Sequence, residues 1–149
     1  MTIDVLPTVA KLLGSALPGH KIDGRDIWPL IAGEPGARSP HEAYYFYYGR
    51  ELQAIRSGKW KLHFPHGYAT LNGRKGGTGG MPAKYDQARI ELSLYDLEQD
   101  PAEKNDVKEA NSEIVARLQA LGATMRKDLG DALTKEPGTG AREPGRVKD

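Results

Sequence analysis

Arg56, Lys59, Lys61 and His63 fall within one short stretch, and His66 follows three positions after His63. Side chains alternate across an extended strand, so a hairpin turning at Ser57-Gly58 places the first four on one face. Such a face could grip an anion. The same pattern also describes a solvated strand on which lysine resists edge-to-edge aggregation. His63 and His66 offer nitrogen ligands to a metal, but Pro65 between them keeps them off a common helix face. A metal centre would need a third and fourth ligand, with Asp86 a candidate, and pocket-lining or surface histidines are the simpler reading. His20 and His41 stand in loops without companions and are expected in solvent.

Other catalytic patterns are missing. No serine stands in a Gly-x-Ser-x-Gly context, and the chain has no cysteine. That excludes a disulfide framework, thiolate zinc and a cysteine nucleophile. The glycine run at 76–80 is not followed by Gly-Lys-Ser or Gly-Lys-Thr, so it reads as a pliant rim rather than a phosphate loop. Glu98, Asp100 and Glu103 lie in an acidic turn, expected to be exposed. From the residues alone no catalytic residue and no metal site is assigned.

The elements that must position these groups follow from periodicity. The hairpin pairs Arg56 with Lys59, Ile55 with Trp60 and Gln53 with Leu62. One face then carries Ile55, Trp60, Leu62 and Phe64, and the other carries the basic residues with Leu52 and Ala54. Residues 43–48, AYYFYY, predict a strand before the hairpin, and 91–97 a fourth strand after a long irregular stretch at 65–89. Ile114, Leu118, Leu121, Met125 and Leu129 recur at helical spacing within 112–133, and Gly122 weakens that helix by roughly 1 kcal/mol. This stripe is the natural partner for the hairpin's apolar face. Residues 3–13 predict a short helix between an Asp4 cap and Gly14, with Pro7 in its first turn. A single turn around Pro29-Leu30-Ile31 is expected after it. The prediction is an α+β fold: a small antiparallel sheet of about four strands with a C-terminal helix packed on one face, plus a short N-terminal helix. Its divisions are 1–33 for the helix and connector, 43–133 for the α+β domain, and 134–149 for an extended or disordered tail.

Composition narrows the partners. The 149 residues carry a net charge of +1, which gives no global field toward nucleic acid or an anionic membrane. No run approaches the length of a membrane span, and residues 2–13 lack a basic leader, so no export signal is expected here.

Four short motifs, in order, carry a resemblance. They are IDVLPT at 3–8, DGRDIWPLIAG at 23–33, AIRSGKWKL at 54–62 and LYDLEQDPAE at 94–103. Together they resemble the C-terminal part of a sulfatase of the arylsulfatase A type. The resemblance implies an exported or lysosomal hydrolase of sulfate esters, whose catalytic machinery sits in a larger N-terminal portion. There a Cys/Ser-x-Pro-Ser-Arg motif yields formylglycine, and Asp and Asn side chains hold calcium. None of these maps onto this chain, so the resemblance implies a non-catalytic C-terminal domain with no cofactor of its own. It further places residues 1–33 at the end of the large domain and reads the abrupt start at Met1 as a truncated or split reading frame. It makes loop 63–84, with His63 and His66, a candidate rim of the substrate entrance. The expected partner is a sulfatase N-terminal domain, or self-association through Val5, Leu6, Val9 and Leu12. The alternative is a free-standing binding module in which Arg56, Lys59 and Lys61 recognise sulfated glycans or a protein.

Overall fold

Glycine punctuates the central hairpin, and its position decides the pairing. A computed structural model describes residues 1–141. The chain divides into two compact units, Met1–Glu42 and Ala43–Asp149. In the second, β1 (Tyr44–Tyr48), β2 (Glu51–Ser57), β3 (Trp60–His63) and a later strand, β6 (Ser93–Asp96), form an antiparallel sheet in the order β1-β2-β3-β6. Ser57 pairs with Trp60, Ile55 with Leu62 and Ala54 with His63. The two-residue loop is therefore Gly58-Lys59 rather than Ser57-Gly58. Gly58 takes a positive φ of 59°, as a hairpin loop with glycine first requires. The expected register was two residues off along β3. An even slip returns each side chain to its own face, so Ile55, Trp60 and Leu62 still oppose Lys61 and His63.

Leu52 departs from the expected pattern. The β1–β2 register shifts after Phe46, so that Phe46 pairs with Ala54 but Tyr47 pairs with Leu52. Skipping Gln53 resets the alternation, as a β-bulge does. Leu52 thereby leaves the basic face and joins Ile55, Leu62, Phe64, Leu94 and Leu118 in the buried core.

The helix α3 (Ser112–Leu129) covers that core face, with Leu118 fully buried and Ile114, Leu121 and Met125 packed around it. It stops at Leu129, short of the expected 133, because Gly130 breaks it. Gly122 is a contact point. A Cβ there would lie 2.6 Å from Phe64 Cζ and 3.1 Å from Ile55 Cδ1. Arg126, one turn further along α3, places its guanidinium 4.1 Å from the Phe64 ring centroid. Its Nε also donates to Asp131 Oδ2 at 2.7 Å. Buried Asp131 accepts the Leu52 and Leu133 amides as well, tying the helix end to the start of β2. Residues 134–141 are not a free extension: Thr139 N and Gly140 N donate to the Lys127 and Asp128 carbonyls, and Asp131 bridges Glu136. The remainder of the predicted tail, 142–149, lies outside the described residues.

The stretch expected to be irregular instead holds two strands, β4 (His66–Thr70) and β5 (Asp86–Ile90), paired as a second sheet. Their ladder keeps the register of β3 and β6. His63 pairs with Ser93, and three positions further along each strand the pairing resumes at His66 and Ile90. The two sheets share one β-ribbon, interrupted at Phe64-Pro65 and Glu91-Leu92. Proline has no amide hydrogen for the ladder, which is a local reason for the break.

In the first unit, a 3-10 turn (Thr2–Asp4) leads into α1 (Val5–Leu13), and α2 (Trp28–Ile31) is a single turn. The Asp4 side chain does not cap α1. It is fully buried and accepts from Arg25 N at 2.9 Å, while Thr8 Oγ1 accepts from Ile27 N. The buried side of α1 is thus Asp4, Pro7, Thr8 and Ala10, and its large apolar side chains point outward.

Substituting Gly122→Ala should destabilise the chain by about 1–3 kcal/mol through overpacking against Phe64. That outweighs the roughly 1 kcal/mol gain in helix propensity. Urea denaturation checks it; an unchanged or raised midpoint would show that α3 has room to spare.

Candidate functional site

On the face opposite α3, the sheet register lines up Arg56 with Lys61 and Tyr95, and Ala54 with His63 and Ser93. Tyr44 and Phe46 extend this face across β1, their rings meeting edge to face at 4.6 Å. Lys61 Nζ sits 5.0 Å from the Phe46 ring centroid, and His63 meets the edge of Tyr95 at 5.7 Å. The face is basic and aromatic.

Its charges are mostly answered by carboxylates. Glu103 accepts Lys61 Nζ at 2.6 Å through Oε1 and His63 Nε2 at 2.7 Å through Oε2. Asp96 accepts Lys59 Nζ at 2.6 Å. Arg56 is exposed, and its Nε donates to Gly58 O at 3.1 Å. Glu103 belongs to the acidic turn expected to face solvent, yet it reaches back over the sheet. Its backbone holds φ at 54°, in the left-handed region that non-glycine residues rarely adopt. Asp100 fixes this turn, with O accepting Glu103 N and Oδ2 accepting the Lys104 and Asn105 amides. Burial pushes the Glu103 carboxyl up, but Lys61 and His63 outweigh it and hold it below its ordinary value.

His63 and His66 do come together. Their rings stack at 5.6 Å with planes 15° apart. On a regular strand residues three apart point to opposite faces, so the stack reports a bend at Phe64-Pro65. His66 Nδ1 donates to Phe64 O at 2.6 Å, and its ring is buried. His63 Nε2 faces an ionised carboxylate and so carries the proton, which leaves Nδ1 bare, buried and without a partner. Burial lowers the His63 pKa, against the pull of Glu103. Asp86 is far from forming a triad with them, since it pairs with Thr70 at the other end of the ribbon and bridges Arg74. Among the described residues no group of three or more His, Cys, Asp or Glu could hold a metal.

The remaining histidines differ. His20 is exposed, as expected. His41 is not: its Nε2 lies 2.7 Å from Asp4 Oδ1, with the side chain only 17% exposed. Burial raises the Asp4 pKa, but the Met1 amine, the Arg25 amide and His41 together bring it down to about 2. A pairing across 37 residues has no local sequence signal.

The α+β fold, an antiparallel sheet covered by a helix, recurs as part of larger solved structures. A sulfatase from Pseudoalteromonas sp. superimposes with a TM-score of 0.62 at 18% identity, over 91% of this chain and 26% of that one, which shows the shared fold. The family described as the C-terminal region of aryl-sulfatase matches residues 39–137. Human arylsulfatase A is 32% identical over 95% of this chain, and mouse steryl-sulfatase is 36% identical over 83%. The chain belongs to the sulfatase family and corresponds to its C-terminal region. It spans 29% and 22% of the lengths of those two relatives.

Removing the Glu103 carboxylate leaves two donors without their acceptor. Glu103→Ala should cost about 1.5–3 kcal/mol, the range for hydrogen bonds to charged groups. Thermal unfolding of the single variants and of Lys61→Met with Glu103→Ala measures the coupling. Strictly additive losses would show that the pairing contributes nothing.

Proposed function

We propose that this chain is the non-catalytic C-terminal domain of a sulfuric ester hydrolase, completing the enzyme's structure and shaping its substrate entrance. The observation that carries this reading is the family match over 39–137 in a chain spanning under a third of its relatives. Sulfate ester hydrolysis in the resemblance requires a formylglycine and calcium to supply electrophilic stabilisation. The residues here do not fit that set: the sequence has no cysteine and no Cys/Ser-x-Pro-Ser-Arg, and the described residues form no metal-holding group. No step of the reaction is assigned to this chain.

Two surfaces suit the role. Outward on α1, Val5, Leu6, Val9 and Leu12 are 60%, 53%, 46% and 51% exposed. Contiguous apolar surface of this kind rarely stays bare in a soluble protein, and a sulfatase's catalytic portion is its natural cover. The second surface is the β4–β5 ribbon with loop 71–85. It carries exposed Tyr68, Met81 and Tyr85, side chains suited to line a substrate entrance. His63 and His66 act at its base, holding the ribbon rather than meeting substrate directly. The ion pairs of Lys59 and Lys61 speak against a free-standing module for sulfated glycans, because these cations are already engaged.

The purified chain, given an aryl sulfate and calcium, should show no turnover. Hydrolysis that scales with protein concentration would overturn the reading. The chain alone should also self-associate in sedimentation velocity, and Leu6→Asp with Val9→Asp should shift it toward monomer. A monodisperse wild-type monomer at high concentration would contradict the docking role of α1.

A further inference from the structure

His66 is the one buried residue of β4 and β5; every other side chain of this ribbon is partly or fully exposed. The arm therefore has almost no core of its own, and a two-stranded ribbon is marginal in water without one. It meets the four-stranded sheet across the ladder break at Phe64-Pro65, and the His63–His66 stack spans that break.

The charges around the stack are unbalanced against proton uptake. On β3 stands Lys61, in the turn after β6 stands Glu103, and β6 presents the edge of Tyr95. On β4, Tyr68 lies 6.4 Å from His66 in a tilted contact. Glu103 is the only carboxylate facing His63 in this group, and Lys61 already shares it. A proton added to His63 would go to Nδ1, since Nε2–H faces Glu103, and Nδ1 is buried with no acceptor. The His66 Nδ1–H is held by Phe64 O and cannot serve His63. A charge on His63 faces the His66 ring at 5.6 Å. Burial costs this cation more than its one shared carboxylate returns, and opening the stack to water relieves it.

We propose that the His63–His66 stack is a proton-operated hinge, whose protonation in mildly acidic solution releases the β4–β5 arm and loop 71–85 from the four-stranded sheet. The sign follows from burial: with the folded His63 pKa held below its unfolded value, stability is complete above about pH 6.5. It is lost as pH falls from there through the folded value. The hinge goes beyond the role proposed above and stands whether or not the arm borders an entrance.

Hydrogen exchange of the whole chain at pH 7.5 and pH 5, corrected for intrinsic exchange, tests it. Protection of amides in 66–70 and 86–90 should fall at least tenfold at pH 5, while amides of β2 and β3 keep theirs. His63→Phe retains a stacking ring without the titratable nitrogen, and its arm should be equally protected at both pH values. Should that variant fail to fold, His63→Gln should likewise abolish the difference. Equal wild-type protection at both pH values would overturn the proposal. So would a tenfold fall that persists in the folded variant, which would place the acid response elsewhere.

Discussion

The distance between α3 and its sheet governs the larger unit, and Gly122 sets that distance. Without a side chain at 122, the Phe64 ring and the Ile55 terminus fill the space beside the helix axis. Phe64 also meets the guanidinium of Arg126 further along α3, whose orientation is fixed by Asp131. Asp131 in turn accepts the Leu52 amide at the bulged start of β2. Core packing, the helix end and the bulge are links in one chain of contacts. A larger residue at 122 would press on all of them.

The opposite face depends on a different constraint, the limited supply of negative charge. Lys61 and His63 share Glu103, and Lys59 takes Asp96. Both carboxylates lie within the motif LYDLEQDPAE at 94–103, so that motif does more than turn the chain. Asp100 shapes the turn, and the turn delivers Glu103 with a backbone conformation few side chains adopt. The strain at Glu103 is maintained because the surrounding bonds over-determine it.

Much of this was legible in the sequence where the signal was local. The two faces of the hairpin survived a register error because the slip was even, and the α3 stripe was read at its true spacing. The ribbon of β4 and β5 was missed for a physical reason: exposed on both faces, it shows no apolar alternation, and Gly67 and Pro65 read as loop. Its signal was the shared register with β3 and β6, which only pairing reveals. Non-local polar contacts were equally hidden. His41 finds Asp4 across 37 residues, and Glu103 finds His63 across 40. Gly122 read as a weakness of the helix, whereas its missing side chain is what lets the helix approach.

The exposed apolar residues of α1, Val5, Leu6, Val9 and Leu12, are the surface that the proposed role assigns to docking with a larger catalytic portion. The most direct measurement combines this chain with a sulfatase catalytic portion separated from its own C-terminal region, and follows aryl sulfate hydrolysis. The account predicts that activity appears, or rises well above that of the catalytic portion alone, only when both polypeptides are present. Equal hydrolysis with and without the chain, or hydrolysis by the chain alone, would contradict it.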